Sequence, residues 1–311
     1  MQVIDLHCDT ILHLIDQPQL KLQKNNLSVD LQKLKAGHGV AQFFALYIDL
    51  AKHPKALQRC LSMLDVFYGE MAANPGEIAL AQNYQEMEVL QQAGKIAAFL
   101  TIEEGGALEG RLDNLRNFYR LGVRLLTLTW NYPNEIGYPN CAEKYREQGL
   151  TEFGQQVIVE MNKLGMIIDV SHLSDQGFYD VANLSTKPFV ASHSNARAVQ
   201  DHSRNMTDEM IKLLAQKGGV MGINFCGAFL GGSKVSKVDD MVAHIEHIYQ
   251  VGGIDVLALG TDFDGIEDTL EIGNMNEMHK LFEALSKKGF TSSEIEKIAY
   301  QNTSRLIQAC L

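Results

Sequence analysis

Segments with two kinds of hydrophobic pattern alternate along the chain. One kind is typical of amphipathic helices and the other is typical of buried strands. Six times, an amphipathic run ends near a glycine and a run of apolar and β-branched residues follows at once. Glycine is favoured just after a helix, because it adopts the left-handed backbone there without strain. The repeated order predicts parallel strands joined by helices. The glycines are Gly39, Gly94, Gly122, Gly165, Gly218 and Gly252.

The apolar runs predict eight strands. Eight parallel strands with intervening helices favour a closed (β/α)8 TIM barrel, formed as a single domain by residues 1–311. An open doubly wound sheet is the alternative, but the chain has no glycine-rich dinucleotide-binding turn to support it. The strands are expected near residues 3–7, 40–48, 96–103, 125–130, 166–171, 189–193, 220–225 and 257–262.

The segments between the strands carry helical spacing and capping residues. Two of the predicted helices begin after Thr151 and Thr207, whose side chains can cap a helix. The segment 50–95 is too long for one helix, so we expect two helices separated by a turn at the sequence NPG. The stretches 131–149 and 226–236 show little periodicity and are predicted to be loops.

Composition and charge narrow the classes of function. The chain of 311 residues has a formal net charge of −11 and no basic run, which disfavours binding to nucleic acid or to an anionic membrane surface. No stretch is apolar over the length that a membrane span needs, and no secretion signal precedes the first strand. Five scattered cysteines without a C-x-x-C pair fit a reducing compartment, so we expect a cytoplasmic protein.

Side chains that can bind metals stand at the carboxyl ends of the predicted strands. Catalytic residues of (β/α)8 enzymes gather at this end of the barrel. Each residue also has a structural explanation by itself, such as a core hydrogen bond or a helix cap, but the shared position favours one common site. The residues are His7 and Asp9 after strand one, Glu103 and Glu104 after strand three, His172 after strand five, His193 after strand six, and Asp262 and Asp264 after strand eight.

The combination of residue types indicates a metal centre. Carboxylates and imidazoles without thiolates suit Zn²⁺, and Mn²⁺ and Co²⁺ are compatible with the same ligands. Three histidines, an aspartate and a glutamate exceed the needs of one four-coordinate ion, whereas two ions that share a carboxylate would use them all. Asp262 is placed to orient a water molecule and to carry its proton to a leaving amine. The predicted chemistry is metal-assisted hydrolysis.

Catalysis by a nucleophilic side chain is the less favoured alternative. Cys8 would point to the opposite face of its strand from His7, so it would lack a base. A serine triad through Ser171 or Ser192 lacks the G-x-S-x-G sequence that exposes such a nucleophile. Metal-assisted hydrolysis therefore stays the preferred chemistry.

Seven short segments, specific when taken together, carry a family resemblance. They are DLHCDT, IEEGG, GVRLLTLTW, MIIDVSHLS, SHSNARAV, SRN and GTDFDG. In this order the chain resembles the renal or membrane dipeptidases, which are zinc dipeptidases with an amidohydrolase-type barrel. The resemblance implies two zinc ions bridged by a glutamate, and dipeptide substrates with a free C-terminal carboxylate. It also implies tolerance of a D-residue at the second position, and a homodimer.

The resemblance implies a role for each matching residue of the metal site. His7 and Asp9 would bind one zinc ion, and His172 and His193 would bind the other. The bridging glutamate has two candidates. The apolar alternation of strand three favours Glu103, whereas matching on the sequence EGG favours Glu104, and we take Glu103.

The resemblance also implies residues that act on the substrate. Asp262 matches the general acid and base, and Arg204 in SRN matches the arginine that receives the substrate carboxylate. Animal members carry a histidine after LTLT, but this chain has Trp130 followed by Asn131. Tryptophan cannot replace a histidine that stabilises a transition state, and we expect both residues to line the substrate site. The signal sequence and lipid-anchor signal of animal members are absent, which fits a soluble bacterial-type member.

Two other functions stay open at this point. Another metal-dependent hydrolase of the same barrel class, such as a lactonase or an aminoacylase, would act on lactones or acylated amino acids and not on dipeptides. A non-catalytic metal-binding protein would keep its metal content and every measurable function after Asp262→Asn. We expect the dipeptidase.

Overall fold

Eight parallel strands close into a barrel in the computed structural model, which describes residues 1–311. Each strand pairs with the next along the chain, and the eighth pairs with the first through Leu259 and Asp5. The predicted (β/α)8 TIM barrel is therefore confirmed. The strands are β1 (Val3–Cys8), β2 (Gly39–Tyr47), β3 (Ile96–Glu103), β4 (Val123–Thr127), β5 (Ile167–Asp169), β6 (Val190–Ala191), β7 (Val220–Ile223) and β8 (Leu257–Leu259).

Helices connect and surround the strands. Thr151 and Thr207 cap their helices as predicted, because each side chain accepts a hydrogen bond from a backbone N–H three residues later. None of the helices combines the length and the apolar composition needed to cross a membrane. The helices are α1 (Thr10–Asp16), α2 (Leu31–Ala36), α3 (Ala56–Ala73), α4 (Tyr84–Gln92), α5 (Leu112–Arg120), α6 (Glu152–Leu164), α7 (Asp175–Leu184), α8 (Asp208–Gln216), α9 (Gly227–Leu230), α10 (Val238–Gly252), α11 (His279–Lys287), α12 (Ser292–Glu296) and α13 (Asn302–Cys310).

Apart from the ends of strands and a 3-10 turn at Glu143–Tyr145 within the predicted loop 131–149, the structure differs from the predicted elements in two segments. The two helices expected within 50–95 are α3 and α4, but a short strand, Ile78–Leu80, lies between them and pairs with β3. The segment 226–236 was predicted to be a loop, but it contains α9 and the strand Val235–Ser236, which pairs with Thr269–Leu270. Both short strands escape detection because two or three residues are too few to show a period.

Alternation along β3 divides its side chains between the barrel interior and the surrounding helices. Ala97 and Phe99 belong to the inner apolar cluster, whereas Leu100 and Ile102 pack in the larger cluster on the helix side. Side chains two residues apart share a face of a strand. Glu103 therefore continues the inward series of Phe99 and emerges at the top of the barrel.

Apolar side chains fill the lower end of the barrel, where the strands begin. The rings of Phe43 and Phe99 stack there with their centroids 4.7 Å apart. Helix α13 covers this end and adds Leu306 and Ile307 to the cluster that contains Ile4. The opposite end, where polar side chains follow the strands, is the end that carries the active site in such barrels.

Candidate active site

Five of the predicted ligand side chains converge at the carboxyl end of the barrel. Oε2 of Glu103 lies 3.2 Å from Nε2 of His7. Oε1 of the same glutamate lies 3.0 Å from Nε2 of His172 and 3.5 Å from Nε2 of His193. Asp9 approaches from another side, with Oδ2 3.4 Å from Nε2 of His7. The two oxygens of Glu103 thus face two different sets of potential ligands.

The backbone turns sharply just after the strands that carry these residues. His172 and Asp262 have left-handed φ angles of 68° and 60°, which residues other than glycine rarely adopt. Strands β5 and β8 end at Asp169 and Leu259, earlier than predicted, and two residues separate each strand end from its left-handed residue. Strained backbone of this kind persists where the surrounding structure holds it, and it is concentrated at functional sites.

Several polar atoms of the cluster are buried without a hydrogen-bond partner. They include both ring nitrogens of His7 and Oδ1 of Asp9. In addition, the Nε2 atoms of His172 and His193 face each other at 3.0 Å. Buried polar atoms destabilise a fold unless a partner satisfies them, and a cation can accept electron pairs from Oδ1 of Asp9 and from one ring nitrogen of each histidine. The residues present therefore fit a metal centre with histidine and carboxylate ligands.

Charges within the cluster shift pKa values in opposite directions. Burial alone would lower the pKa of His7, but the carboxylates of Glu103 and Asp9 outweigh burial and hold this pKa well above its ordinary value. Burial would raise the pKa of Glu103, but the charge of His7, together with the adjacent rings of His172 and His193, holds it well below its ordinary value. A divalent cation would take the place of the proton on His7, because an imidazole binds metal in its neutral form.

The other two histidines are neutral at pH 7. Burial, with the nearby charge of Arg204, lowers the pKa of His172 to about 4. Burial and the charge of His7 hold the pKa of His193 well below its ordinary value. Both side chains therefore offer the neutral imidazole that coordinates metals.

Asp262 lies at the edge of the cluster with one oxygen fixed by a hydrogen bond. Its Oδ2 accepts a hydrogen bond of 2.8 Å from Nδ2 of Asn224, and its Oδ1 is 3.9 Å from Nε2 of His7. Burial, with the negative charges of Asp9 and Glu103, raises the pKa of Asp262 to about 7. Asn224 was not singled out from the sequence, although its position directly after β7 is a signal that could have identified it.

Glu104 holds a loop and does not face the ligand set. Its Oε1 accepts hydrogen bonds from the backbone N–H of Gly106 at 2.6 Å and from Nδ2 of Asn134 at 2.5 Å. Its Oε2 accepts one from the backbone N–H of Trp130 at 3.0 Å. Burial raises the pKa of this carboxyl to about 7. Of the two glutamates considered as a bridge, Glu103 is the one within the cluster.

A cleft of about 870 Å³ opens above the cluster. Trp130 forms part of its wall, and its ring stands edge-on to Tyr47 with 4.9 Å between the centroids. Asn131 also lines the cleft, and its Oδ1 lies 3.1 Å from Nδ1 of His172. Tyr47 was not predicted, although it ends β2 on the inward series that starts at Phe43.

Arg204 is buried beside the cluster with part of its guanidinium unpaired. The residue is 4% exposed, and its Nη2 donates a hydrogen bond of 3.1 Å to the carbonyl oxygen of His193. Its Nε and Nη1 atoms have no hydrogen-bond partner. Burial lowers the pKa of Arg204, but a guanidinium keeps its charge under all ordinary conditions. Unpaired N–H groups on a buried cation are suited to bind an anionic group.

Comparison with known proteins identifies the family of the chain. The family model for the membrane dipeptidases, Peptidase family M19, matches residues 1–310. The chain belongs to this family. This M19 chain is 31% identical over 98% of its length to Dipeptidase 3 of Rattus norvegicus, and it spans 64% of that protein.

Two solved structures of metallopeptidases share the fold of this M19 chain. Dipeptidase AC, of family M19, is 27% identical with a TM-score of 0.93, and the match covers 100% of this chain and 98% of the other. A metallopeptidase from Rhodobacter sphaeroides, solved with a phosphinate mimic of the dipeptide L-Ala-D-Ala, is 26% identical with a TM-score of 0.92, with coverages of 100% and 99%. The protein is thus a hydrolase of the metallo-dipeptidase family, as the sequence resemblance implied.

Proposed function

We propose that this protein is a dipeptidase that uses two zinc ions bridged by Glu103 to hydrolyse dipeptides with a free C-terminal carboxylate. The position of Glu103 carries the proposal, because one oxygen faces His7 and the other faces His172 and His193. His7 and Asp9 would hold one ion, and His172 and His193 would hold the other. When bound, the ion pair supplies Lewis acidity that acidifies a water molecule and polarises the scissile carbonyl.

Asp262 would move the proton in this reaction. Asn224 donates a hydrogen bond to Oδ2 of Asp262, so Oδ1 would be the atom that accepts the proton from the attacking water. Burial raises the pKa of the Asp262 carboxyl, which makes it a stronger base than an exposed aspartate. The released proton would go to the nitrogen of the leaving amine, so that hydrolysis yields two amino acids.

Arg204 would bind the C-terminal carboxylate of the substrate. Its unpaired Nε and Nη1 atoms support this role, since a planar guanidinium donates two parallel hydrogen bonds to a carboxylate. Trp130 and Asn131 would contact the substrate from the wall of the cleft. The R. sphaeroides relative was solved with a mimic of L-Ala-D-Ala, and we propose that this chain likewise accepts a D-residue at the second position.

Metal analysis combined with a dipeptide panel tests the proposal. We expect two equivalents of zinc in the wild type, and release of amine from L–L and L–D dipeptides. His193→Ala is expected to lose metal and activity together. The matched control is His247→Ala, because His247 lies in α10 and pairs with Asp208 outside the cluster. Folded protein that binds no divalent metal, or that cleaves lactones or acylated amino acids but no dipeptide, would contradict the proposal.

A further inference from the structure

Ser192 lies between a buried carboxylate and one of the proposed ligand histidines. Its Oγ is 2.5 Å from Oδ2 of Asp169 and 2.7 Å from Nδ1 of His193. All three side chains are fully buried. We refer to Asp169, Ser192 and His193 as the relay.

The groups around Asp169 set the direction of its hydrogen bonds. Its Oδ1 accepts from the backbone N–H groups of Ser171 at 3.0 Å and Ser192 at 2.9 Å. Its Oδ2 accepts from the hydroxyl of Thr127 at 2.6 Å and from the hydroxyl of Ser192. An ionised carboxylate only accepts hydrogen bonds, so the single hydroxyl proton of Ser192 is directed to Asp169. The Ser192 oxygen is therefore an acceptor towards its other two neighbours, Nδ1 of His193 at 2.7 Å and the hydroxyl of Ser171 at 3.3 Å.

An acceptor at this position fixes the tautomer of His193. Its Nδ1 must carry the proton that is donated to Ser192, so Nε2 keeps a free lone pair. That lone pair points into the cluster, where Nε2 of His172 is 3.0 Å away and Oε1 of Glu103 is 3.5 Å away. A histidine that binds metal through one nitrogen commonly donates from the other to an oxygen, which orients the ring and raises its basicity.

The neighbouring histidine has a different partner. Nδ1 of His172 lies 3.1 Å from Oδ1 of Asn131, which is a neutral amide at the edge of the cleft. His193 instead contacts a hydroxyl that a buried carboxylate polarises. Hydrogen-bond chains of this kind strengthen when a charged group ends them. The two histidines on the same side of Glu103 are therefore supported in different ways.

We propose that Asp169 and Ser192 are positioning residues that hold His193 in the Nδ1–H tautomer with Nε2 free to bind zinc. Asp169 acts on the histidine through the Ser192 hydroxyl, and neither residue lines the cleft. The inference rests on the metal-binding role of His193 in the proposed function. The tautomer itself is a property of the metal-free protein, so it can be tested separately.

Two substitutions break the relay at different points. Ser192→Ala removes the acceptor of the Nδ1 proton, so both tautomers of His193 become accessible. Asp169→Asn presents an amide N–H₂ group to Ser192, whose hydroxyl then donates to Nδ1 and favours the Nε2–H tautomer. Thr127→Val is the matched control, because it removes another hydroxyl from the same carboxylate oxygen without contacting His193.

Nitrogen NMR of the metal-free full chain, labelled at histidine, reads the tautomer directly. The signal of His193 is identified by its loss in His193→Gln. We expect Nδ1–H in the wild type and in Thr127→Val, a mixture in Ser192→Ala, and Nε2–H in Asp169→Asn. Titration with Zn²⁺ against a competing chelator should show about 10- to 100-fold weaker binding in the two relay variants and unchanged binding in the control.

Several outcomes would overturn the inference. One is an Nε2–H tautomer in the wild type, and another is wild-type zinc affinity in relay variants that are folded by circular dichroism. If one variant fails to fold, the tautomer of His193 in the wild type and in the other variant still shows whether the inference is correct. A wild-type chain that binds no zinc would remove the proposed function, while the NMR result would still decide whether the relay sets the tautomer.

Discussion

The two ends of the barrel both contain buried side chains, but these side chains have opposite chemistry. At the lower end, Leu306 and Ile307 pack against Ile4 in a cluster made of apolar side chains. At the carboxyl end of the strands, which we call the mouth, the side chains of His7 and Asp9 are almost as inaccessible to solvent as those apolar side chains. Both nevertheless keep polar atoms without a hydrogen-bond partner. Burial alone therefore does not distinguish a core from an active site. What distinguishes the active site is a group of buried imidazole and carboxylate side chains whose ligand atoms lie within reach of one another.

This difference predicts opposite responses to substitution. Removing buried carbon atoms from the lower end creates a cavity and lowers the free energy of unfolding. Removing a polar group from the mouth costs activity but little stability, because active-site groups are themselves a source of strain and unfavourable burial. Three substitutions test the contrast.

The largest effect is expected for Asp262→Asn. The amide cannot accept the proton of the attacking water, so kcat should fall by about 10²- to 10⁴-fold. Zinc content and the thermal midpoint should stay close to those of the wild type. Steady-state kinetics, metal analysis and thermal denaturation on one preparation provide the measurement.

A control for this substitution lies at the other end of the same strand. Asp255 precedes β8, is exposed, and pairs with Lys297 at 2.7 Å. A surface pair of this kind contributes about 0–1 kcal/mol, so Asp255→Asn should leave kcat unchanged and stability nearly so. Equal losses of kcat in the two variants would remove the distinction between the two ends.

The next effect is a loss of stability at the lower end. Ile307→Ala removes a fully buried side chain and should lower the free energy of unfolding by about 2–5 kcal/mol. Urea denaturation measures the loss, and kcat per folded molecule should not change. Val89→Ala is the control, since Val89 in α4 is 63% exposed and its truncation should have almost no effect. A lower kcat in Ile307→Ala at full folding would show that the lower end also supports the chemistry.

The smallest effect concerns a polar group near the mouth that is fully satisfied. The Thr151 hydroxyl accepts a hydrogen bond of 2.9 Å from the backbone N–H of Gly154 at the start of α6. Thr151→Ala should cost about 1 kcal/mol of stability and leave kcat unchanged, whereas Thr151→Ser should keep the cap. Urea denaturation and kinetics of both variants measure this. If Thr151→Ala lost as much kcat as Asp262→Asn, activity would depend on the position of a residue near the mouth and not on whether its polar atoms lack hydrogen-bond partners.

Regular geometry explains what the sequence could predict. The period of two along β3 placed Glu103 on the inward series of Phe99, because strand geometry is local. The convergence of His172 and His193 followed from a single rule, that the carboxyl ends of all barrel strands meet at one rim. Neither prediction required knowledge of a specific tertiary contact.

Contacts between side chains from different strands could not be predicted in this way. The hydrogen bonds of Asn224 with Asp262 and of Ser192 with Asp169 join residues at or after the ends of separate strands, and no local spacing specifies which residues pair. The signal for Arg204 came from the family resemblance, since a lone arginine in a loop gives no indication that it is buried.

Element ends were less predictable than element types. The left-handed residue before β2 is His38, with φ of 57°, and not the neighbouring Gly39 on which the helix signal was based. Helix ends are set by backbone hydrogen bonds as well as by residue type, so they shift by a residue or two from such signals.

Two adjacent glutamates divide their tasks along one short piece of backbone. Glu103 belongs to the ligand cluster. Glu104 fixes the start of the loop after β4 by accepting hydrogen bonds from the backbone of Trp130 and the side chain of Asn134. The outer part of this loop also reaches a proposed ligand, since the backbone N–H of Asn140 donates a hydrogen bond of 2.7 Å to the carbonyl oxygen of His172. One loop therefore connects the wall of the cleft, through Trp130, with the backbone of a proposed metal ligand, so a change of loop conformation is expected to alter substrate fit and the position of His172 together.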